Sequence, residues 1–442
     1  MKPIDTLICA RWVIPVEPAT VLDDHAVAIM QGRIVDLLPT AQAERRYDPA
    51  ERIDRPHHAL LPGFVNAHTH AAMNLLRGIA DDLPLDVWLQ QHIWPAEARW
   101  LSEAFVRDGT LLAIAEMIRG GTTTFNDMYL FPDVAAECIT RSGLRAALGI
   151  VVIDFPTPWA RDADEYLAKG LALHDELKGD PLISIQLAPH APYTVSDEPL
   201  ARIATLANEL ELPVHIHLHE TEGEVGQAVT TTGRRPIERL RDLGLLGPSL
   251  LAVHMTALDD GDIALAAEHN IHVVHCPESN LKLASGICPV TRLQDAGINV
   301  ALGTDGAASN NDLDMLGEMR SAALLAKGVS GDASRLDAHE ALTMATLNGA
   351  RALGIADRVG SITPGKAADL IAVDLDTIET QPHYDPVSAL VYSAGRHQVT
   401  DNWVAGRALL RDRLLTTLDE SALLETARQW QQRITSNTAE TP

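Results

Sequence analysis

The sequence predicts an α/β fold: a (β/α)8 TIM barrel with a small β-sandwich domain formed from both chain ends. Three observations predict it. Short apolar runs alternate with helix-spaced stretches through the middle of the chain, as parallel βα units do. Eight such runs can be counted, the number that closes a barrel. Ionisable residues gather where the runs end, and that end of a barrel strand carries the chemistry. A doubly wound open sheet is the rival, but it would not collect ionisable groups from most of its strands.

Taken in order, the first elements are two apolar stretches at 27–30 and 33–37 separated by Gln31-Gly32, a hairpin with a turn signal. The first barrel strand is expected at 60–65, leading into His68-Thr69-His70. Strands follow at 122–127, at 144–153 ending before Asp154, and at 183–187 ending near His190. Next come 214–218 with His215 and His217, 250–253 ending at His254, 271–274 ending at His275, and 298–302 ending near Asp305. Stretches such as 105–119, 198–210 and 260–269 carry helical spacing between them. Past the barrel, 369–374 reads as a strand and 402–410 as a second hairpin. Neither chain end can bury a core alone. They are expected to pair, with the barrel inserted, as segments 1–58, 59–364 and 365–442. A helix is expected from about Asp419, fraying beyond Thr435.

At 442 residues and 46% hydrophobic content the chain can bury a large core, and exceeds one ordinary domain. Aromatics are 4%, so that core must be mostly Ala, Leu, Val and Ile. Lys and Arg number 35 against 60 Asp and Glu, a net charge of -25. Such a surface repels phosphate backbones and excludes nucleic acid as a partner. Cys9, Cys138, Cys276 and Cys288 are scattered without a Cys-x-x-Cys pair. Free thiols in a reducing cytoplasm are expected, not a disulfide framework or zinc ribbon. The N-terminus does not read as a signal peptide. No apolar run approaches the roughly 20 residues of a membrane span, so a cytoplasmic protein without a membrane partner is expected.

His68 and His70 lie two apart on an extended strand, so their imidazoles share a face. Neutral imidazole suits a divalent metal. Taken with the other strand-end residues, His68, His70, His217 and Asp305 can supply three imidazoles and a carboxylate to one ion, leaving a position for water. Water on such an ion has its pKa lowered from about 15.7 to about 7. Glu220, three residues past His217, can stand beside the ion and shuttle protons, and His254 can orient the nucleophile. Each has a plainer reading. A strand-end histidine often serves only as a hydrogen-bonding residue, and Asp305 in Gly303-Thr304-Asp305-Gly306 can be a turn former or helix cap. His215, His219 and His275 are expected to pack or to support the others.

The set Pro62-Gly63-Phe64-Val65-Asn66-Ala67-His68-Thr69-His70, His217-Leu218-His219-Glu220, His254 and Gly303-Thr304-Asp305-Gly306 resembles the amidohydrolase superfamily. Within it, the chain is similar to the branch of 5′-methylthioadenosine/S-adenosylhomocysteine deaminases and triazine chlorohydrolases. The likeness extends to Ser279-Asn280-Leu281-Lys282-Leu283-Ala284-Ser285-Gly286 and Gly365-Lys366-Ala367-Ala368-Asp369-Leu370. It implies His68, His70, His217 and Asp305 as metal ligands, with Glu220, His254 and Asp305 catalytic. Binuclear members carry a lysine at the end of strand four. Here that position reads Leu187-Ala188-Pro189-His190, which implies one divalent ion, zinc or iron.

The resemblance further implies a small purine nucleoside substrate and a homo-oligomer. Glu97 in Trp94-Pro95-Ala96-Glu97 would bind the ribose hydroxyls, against a plain reading as a solvent-facing helix residue. His190 would contact the nucleoside. Arg161 is a candidate for a homocysteine carboxylate, or forms a surface ion pair. Trp88 is a candidate lid over the base, or a core tryptophan. The implied reaction is hydrolytic deamination at adenine C6, with Glu220 donating to N1, Asp305 taking the nucleophile's proton and His254 steadying the oxygen. The same machinery on guanine or a triazine is the nearest alternative, and a non-catalytic barrel scaffold the most distant.

Overall fold

The structure is a computed structural model and describes residues 1–438. The N-terminal strands are β1 (Lys2–Val13), β2 (Leu22–Met30), β3 (Arg33–Pro39) and β4 (Tyr47–Pro62). Eight strands follow: β5 (Phe64–Thr69), β6 (Thr122–Asp127), β7 (Arg145–Val152), β8 (Ile183–Pro189), β9 (Val214–Leu218), β10 (Leu250–His254), β11 (His272–His275) and β12 (Asn299–Leu302). They form one sheet in sequence order, with every paired neighbour parallel. Last come β13 (Leu370–Asp374), β14 (Val399–Val404), β15 (Arg407–Arg411) and β16 (Leu414–Leu415).

Side chains join the first and last barrel strands. The Asn66 amide donates to Thr304 Oγ1 at 2.7 Å, and Thr304 N donates back to Asn66 Oδ1 at 3.0 Å. Asp305 N donates to His68 O at 3.0 Å. Gly303 permits this approach, because a β-carbon there would sit 2.7 Å from His68 N.

Both chain ends form a second sheet in the order β16-β15-β14-β13-β4-β1-β2-β3. β13 pairs antiparallel with β4, from Leu370↔Pro62 to Asp374↔His58. The sheet curls on itself: Gly406 N and Gly32 O both bond Ala368, bringing the β2–β3 and β14–β15 turns together. Ile8, Val27, Ile29, Ile53, Leu60, Leu370 and Trp403 are enclosed between.

Several elements differ from expectation. The apolar run at 60–65 is two strands, not one: Pro62 ends β4 in the outer sheet and Phe64 opens the barrel. Gly63 makes the corner, where a β-carbon would overlap the Thr123 side chain. β1 and β4 were not foreseen. β4 carries Pro49 and Pro56 among charged residues, a pattern that argues against a strand. It is tolerated because β13 covers only residues 58–62 of β4, leaving the preceding stretch bonded on one side alone. The final helix, Glu420–Thr438, continues past Thr435 rather than fraying there; the expectation for 439–442 lies outside the described residues. Trp430 anchors this helix, its ring 5.4 Å from Phe105 and its Nε1 donating to Asp108 at 2.8 Å. Among the described residues, no helix is long and apolar enough to cross a membrane.

One buried ion pair ties the two sheets. Arg145 on β7 donates from Nε to Asp369 Oδ2 at 2.7 Å and from Nη2 to Oδ1 at 3.1 Å, and Ala405 N also donates to Oδ1. The two side chains are 6% and 2% exposed. Removing one partner of such a pair leaves an uncompensated buried charge. Asp369→Ala is expected to cost about 3–5 kcal/mol, read as a lowered urea midpoint. The double variant Arg145→Leu/Asp369→Leu should recover much of that loss. A single variant within error of wild type would show that the clamp carries no weight.

Candidate active site

The ends of β5, β9, β10 and β12 meet at one mouth of the barrel. His68 lies within β5 and His70 one residue beyond it. His217 is on β9, and Glu220 stands two residues past that strand. His254 ends β10, and Asp305 follows β12. His254 (φ 75°) and Asp305 (φ 62°) adopt left-handed backbone, which non-glycine residues seldom do. Strain of this kind collects at functional sites.

The histidines point one nitrogen inward and anchor the other. His70 Nδ1 lies 2.6 Å from Met128 O, and His217 Nδ1 lies 2.7 Å from His190 O. A carbonyl accepts only, so both Nδ1 atoms carry a proton and both Nε2 atoms turn inward. Those Nε2 atoms stand 3.3 Å apart. His68 and His70 each place Nε2 3.3 Å from Asp305 Oδ1. His68 is fully buried, and its Nε2 has no hydrogen-bond partner. A buried, unpartnered imidazole nitrogen facing a carboxylate and two further inward imidazole nitrogens fits a divalent metal. The ligand atoms of His68, His70 and Asp305 lie within 4.8 Å of one another, as do those of His68, His217 and His254.

Electrostatics favour the forms that a metal needs at His68, His217 and Asp305, and oppose them at His70. Burial pushes His68 down to about 4, and burial with neighbouring imidazoles pushes His217 well below its usual value, so both are neutral near pH 7. His70 goes the other way: burial opposes its charge, but the bond to Asp305 raises it to about 9. A cation at this point would compete with that proton. Burial also opposes charge on Asp305, yet His68 and His70 hold it well below the usual carboxylate range. Its Oδ2 accepts from Ser279 at 2.6 Å and Ser309 at 2.9 Å, which turns Oδ1 toward the histidines.

Glu220 is set apart from this cluster. Burial, and then the Asp305 charge, raise it to about 8, so it keeps its proton at neutral pH. Its Oε1 accepts from Ser285 at 3.4 Å, and its Oε2 lies 3.8 Å from His254 Nε2. Burial lowers His254 to about 4, and the Asn280 amide lies 3.0 Å from its Nδ1. A protonated acid and a neutral imidazole thus face each other over the mouth.

Above them opens a cavity of about 510 Å³, lined by His70, His217, Glu220, His254 and Asp305 at one end. Glu97 and His190 reach it. Tyr129 donates to Glu97 Oε1 at 2.6 Å, and burial raises the Glu97 carboxyl. His190 Nδ1 lies 2.9 Å from Thr194 Oγ1. Trp88 also lines the wall, on a π-helical turn at Trp88–Ile93; it is 6% exposed, and its Nε1 has no partner. Arg161 is not brought to the site. Its side chain is 79% exposed and pairs with Asp162 at 3.2 Å and Glu165 at 3.6 Å, because the loop after β7 turns it toward the start of the next helix.

The three ambiguous histidines separate. His215 Nε2 lies 2.9 Å from His68 Nδ1, directly behind it. His219 caps the neighbouring helix by accepting from Ile237 N at 3.1 Å. His275 is buried with Nδ1 unpartnered. Ser279, Ser309, Asn280 and Tyr129 were not assigned from sequence. Single hydroxyl and amide groups have no spacing signal, although Ser279-Asn280 lies within a stretch already singled out.

The model of the amidohydrolase family matches residues 59–409. A 5-methylthioadenosine/S-adenosylhomocysteine deaminase from Teredinibacter turnerae is 51% identical over 432 residues, covering 98% of each chain. The crystal structure of an adenosine deaminase from Xanthomonas campestris with bound zinc superposes with a TM-score of 0.97. It is 57% identical, covering 98% of this chain and 99% of that one. An atrazine chlorohydrolase from Arthrobacter aurescens, with zinc, shares the fold at a TM-score of 0.90 and 23% identity, covering 96% of this chain and 99% of that one.

Removing the hydroxyls that aim Asp305 should loosen ion binding without emptying the cluster. Ser279→Ala/Ser309→Ala is expected to weaken divalent-metal affinity about 10–100-fold, measured by competition with a chelator. Unchanged affinity would mean that Asp305 does not depend on them.

Proposed function

The chain belongs to the amidohydrolase family, and from that premise we propose that it hydrolytically deaminates the adenine ring of 5′-methylthioadenosine and/or S-adenosylhomocysteine. The products are the inosine analogue and ammonia. The observation that carries this reading is the pairing of a protonated Glu220 with a convergent imidazole and carboxylate set, at the floor of a cavity whose wall holds Glu97.

His68, His70, His217 and Asp305 would hold one divalent ion, zinc by the chemistry of the donors and of the zinc-bound relative. The ion supplies Lewis acidity, which makes water a competent nucleophile near neutral pH. Glu220 gives its proton to ring nitrogen N1 as water adds at C6, removing electron density from the attacked carbon. Asp305, ionised beside its histidines, accepts a proton from the attacking water. His254 presents Nε2 to the incoming oxygen and holds it in line. The proton held by Asp305 then passes to the amine, the C6–N bond breaks and ammonia leaves, and the hydroxyl proton remaining on the new oxygen goes back to Glu220 as the C6 carbonyl forms. Glu97 accepts from the ribose hydroxyls, and His190 and Trp88 border the nucleoside.

The setting we propose is the cytoplasm, supported by four buried, unpaired cysteines. Self-association is supported by Ile378 and Tyr384, 93% and 95% exposed; sedimentation at the mass of a single chain would count against it.

The direct test is a panel of purine nucleosides, followed by loss of adenine absorbance and release of ammonia. Activity should vanish on metal chelation and return with zinc; a metal-loaded protein that leaves every adenine nucleoside intact would remove the reading. Glu220→Gln should lower kcat by about 10²–10⁴-fold while the metal content stays unchanged. Glu97→Gln should raise KM for methylthioadenosine about 10–100-fold, the cost of lost charged hydrogen bonds, with a smaller change in kcat. A Glu97 variant matching wild type would point to a ring substrate without ribose.

A further inference from the structure

We infer that the site selects adenine nucleosides with an uncharged 5′ substituent, a short thioether above all, over the zwitterionic amino-acid tail of S-adenosylhomocysteine. This rests on the deaminase reading and sharpens it. Two features of the cavity carry it.

The first is charge. Among the described residues, the cavity is lined by three carboxyl side chains, Glu97, Glu220 and Asp305, and by imidazoles, with no lysine or arginine. An entering α-carboxylate finds no guanidinium or ammonium partner on that lining. A carboxylate taken from water without a cation or a set of donors loses far more hydration than it regains. Arg161, three residues past the lining residue Pro158, faces outward and is held by Asp162 and Glu165.

The second is the wall beside Glu97. Trp94 and Glu97 are three residues apart on the helix Trp94–Trp100, and so share a face. The Trp94 ring meets Phe155 edge-on with centroids 6.1 Å apart. Pro156 and Pro158 extend the same surface. A ribose whose hydroxyls engage Glu97 therefore turns its 5′ carbon toward an apolar strip. Phe155 is 40% exposed, an aromatic face that a methylthio group would cover. Sulfur against aromatic rings is favourable; S-adenosylhomocysteine carries the same thioether, so the two substrates differ only beyond it, where its ammonium and carboxylate would be set against the same apolar strip.

The two ends of the substrate are thus read separately. The ring end is the same for every adenine nucleoside, so discrimination should fall mainly in KM. Steady-state kinetics of the zinc-loaded enzyme on methylthioadenosine and S-adenosylhomocysteine provide the test. We expect kcat/KM at least about tenfold higher for methylthioadenosine. We also expect Arg161→Ala to leave that ratio unchanged within twofold or so. Equal or better use of S-adenosylhomocysteine would overturn the inference while leaving the deaminase reading intact. So would an Arg161→Ala variant that loses S-adenosylhomocysteine turnover alone, because the guanidinium would then be reaching the tail. Absence of ammonia from both substrates would overturn the inference together with the reading beneath it.

Discussion

The seam between β5 and β12 is the constraint on which the rest of the molecule depends. Its two strands are joined through Asn66 and Thr304, 238 residues apart in the chain. His68 and His70 stand on one side of the seam and Asp305 on the other, with Asp305 N bonded to His68 O. The cluster is therefore not a local motif. It exists only when the sheet has gone fully round. Every βα unit between residues 70 and 299 must be in register before the carboxylate meets the imidazoles. Closure costs chain entropy and leaves three Nε2 atoms and a carboxylate facing one another, an arrangement unfavourable unless something positive sits among them.

Much of this layout was legible in the sequence because barrel strands impose a pattern. A parallel strand buried on both faces is a short apolar run, and seven of the eight runs fell within a residue or two of the observed strands. Strand-end position and residue type then marked the histidines, Glu220 and Asp305. The eighth run failed at Gly63. Hydrophobicity does not say where a strand leaves one sheet for another; that corner is set by contact with Thr123. β1 and β4 were invisible for a related reason. Their pairing is long-range and one-sided, so prolines and charges that rule out an interior strand do no harm.

Arg161 shows the limit at the site itself. Residue type and approximate position suggested a ligand for a carboxylate. A loop has no periodicity to fix which way a side chain faces, and two nearby carboxylates decided it. Trp88 and Glu97 reached the cavity through a short stretch of irregular helix, which no apolar period would have shown. The hydroxyls of Ser279 and Ser309 aim Asp305 from segments outside any strand. The wall of the site is thus harder to read than its floor.

The outer sheet, built from both chain ends, has a consequence in time. On a ribosome, β1 to β4 emerge first and can pair among themselves. The stretch of β4 from His58 to Pro62 then waits for β13, about 300 residues later. At about 5–20 residues per second, that wait lasts roughly fifteen seconds to a minute. During it an apolar strand edge is open to any passing chain, in a cell crowded with other nascent strands. Arg145, presented by β7, waits in turn for Asp369, 224 residues later. The nascent chain therefore spends most of its synthesis half-sheeted, and its yield in a cell should depend on how well that edge is sheltered until the last strands arrive.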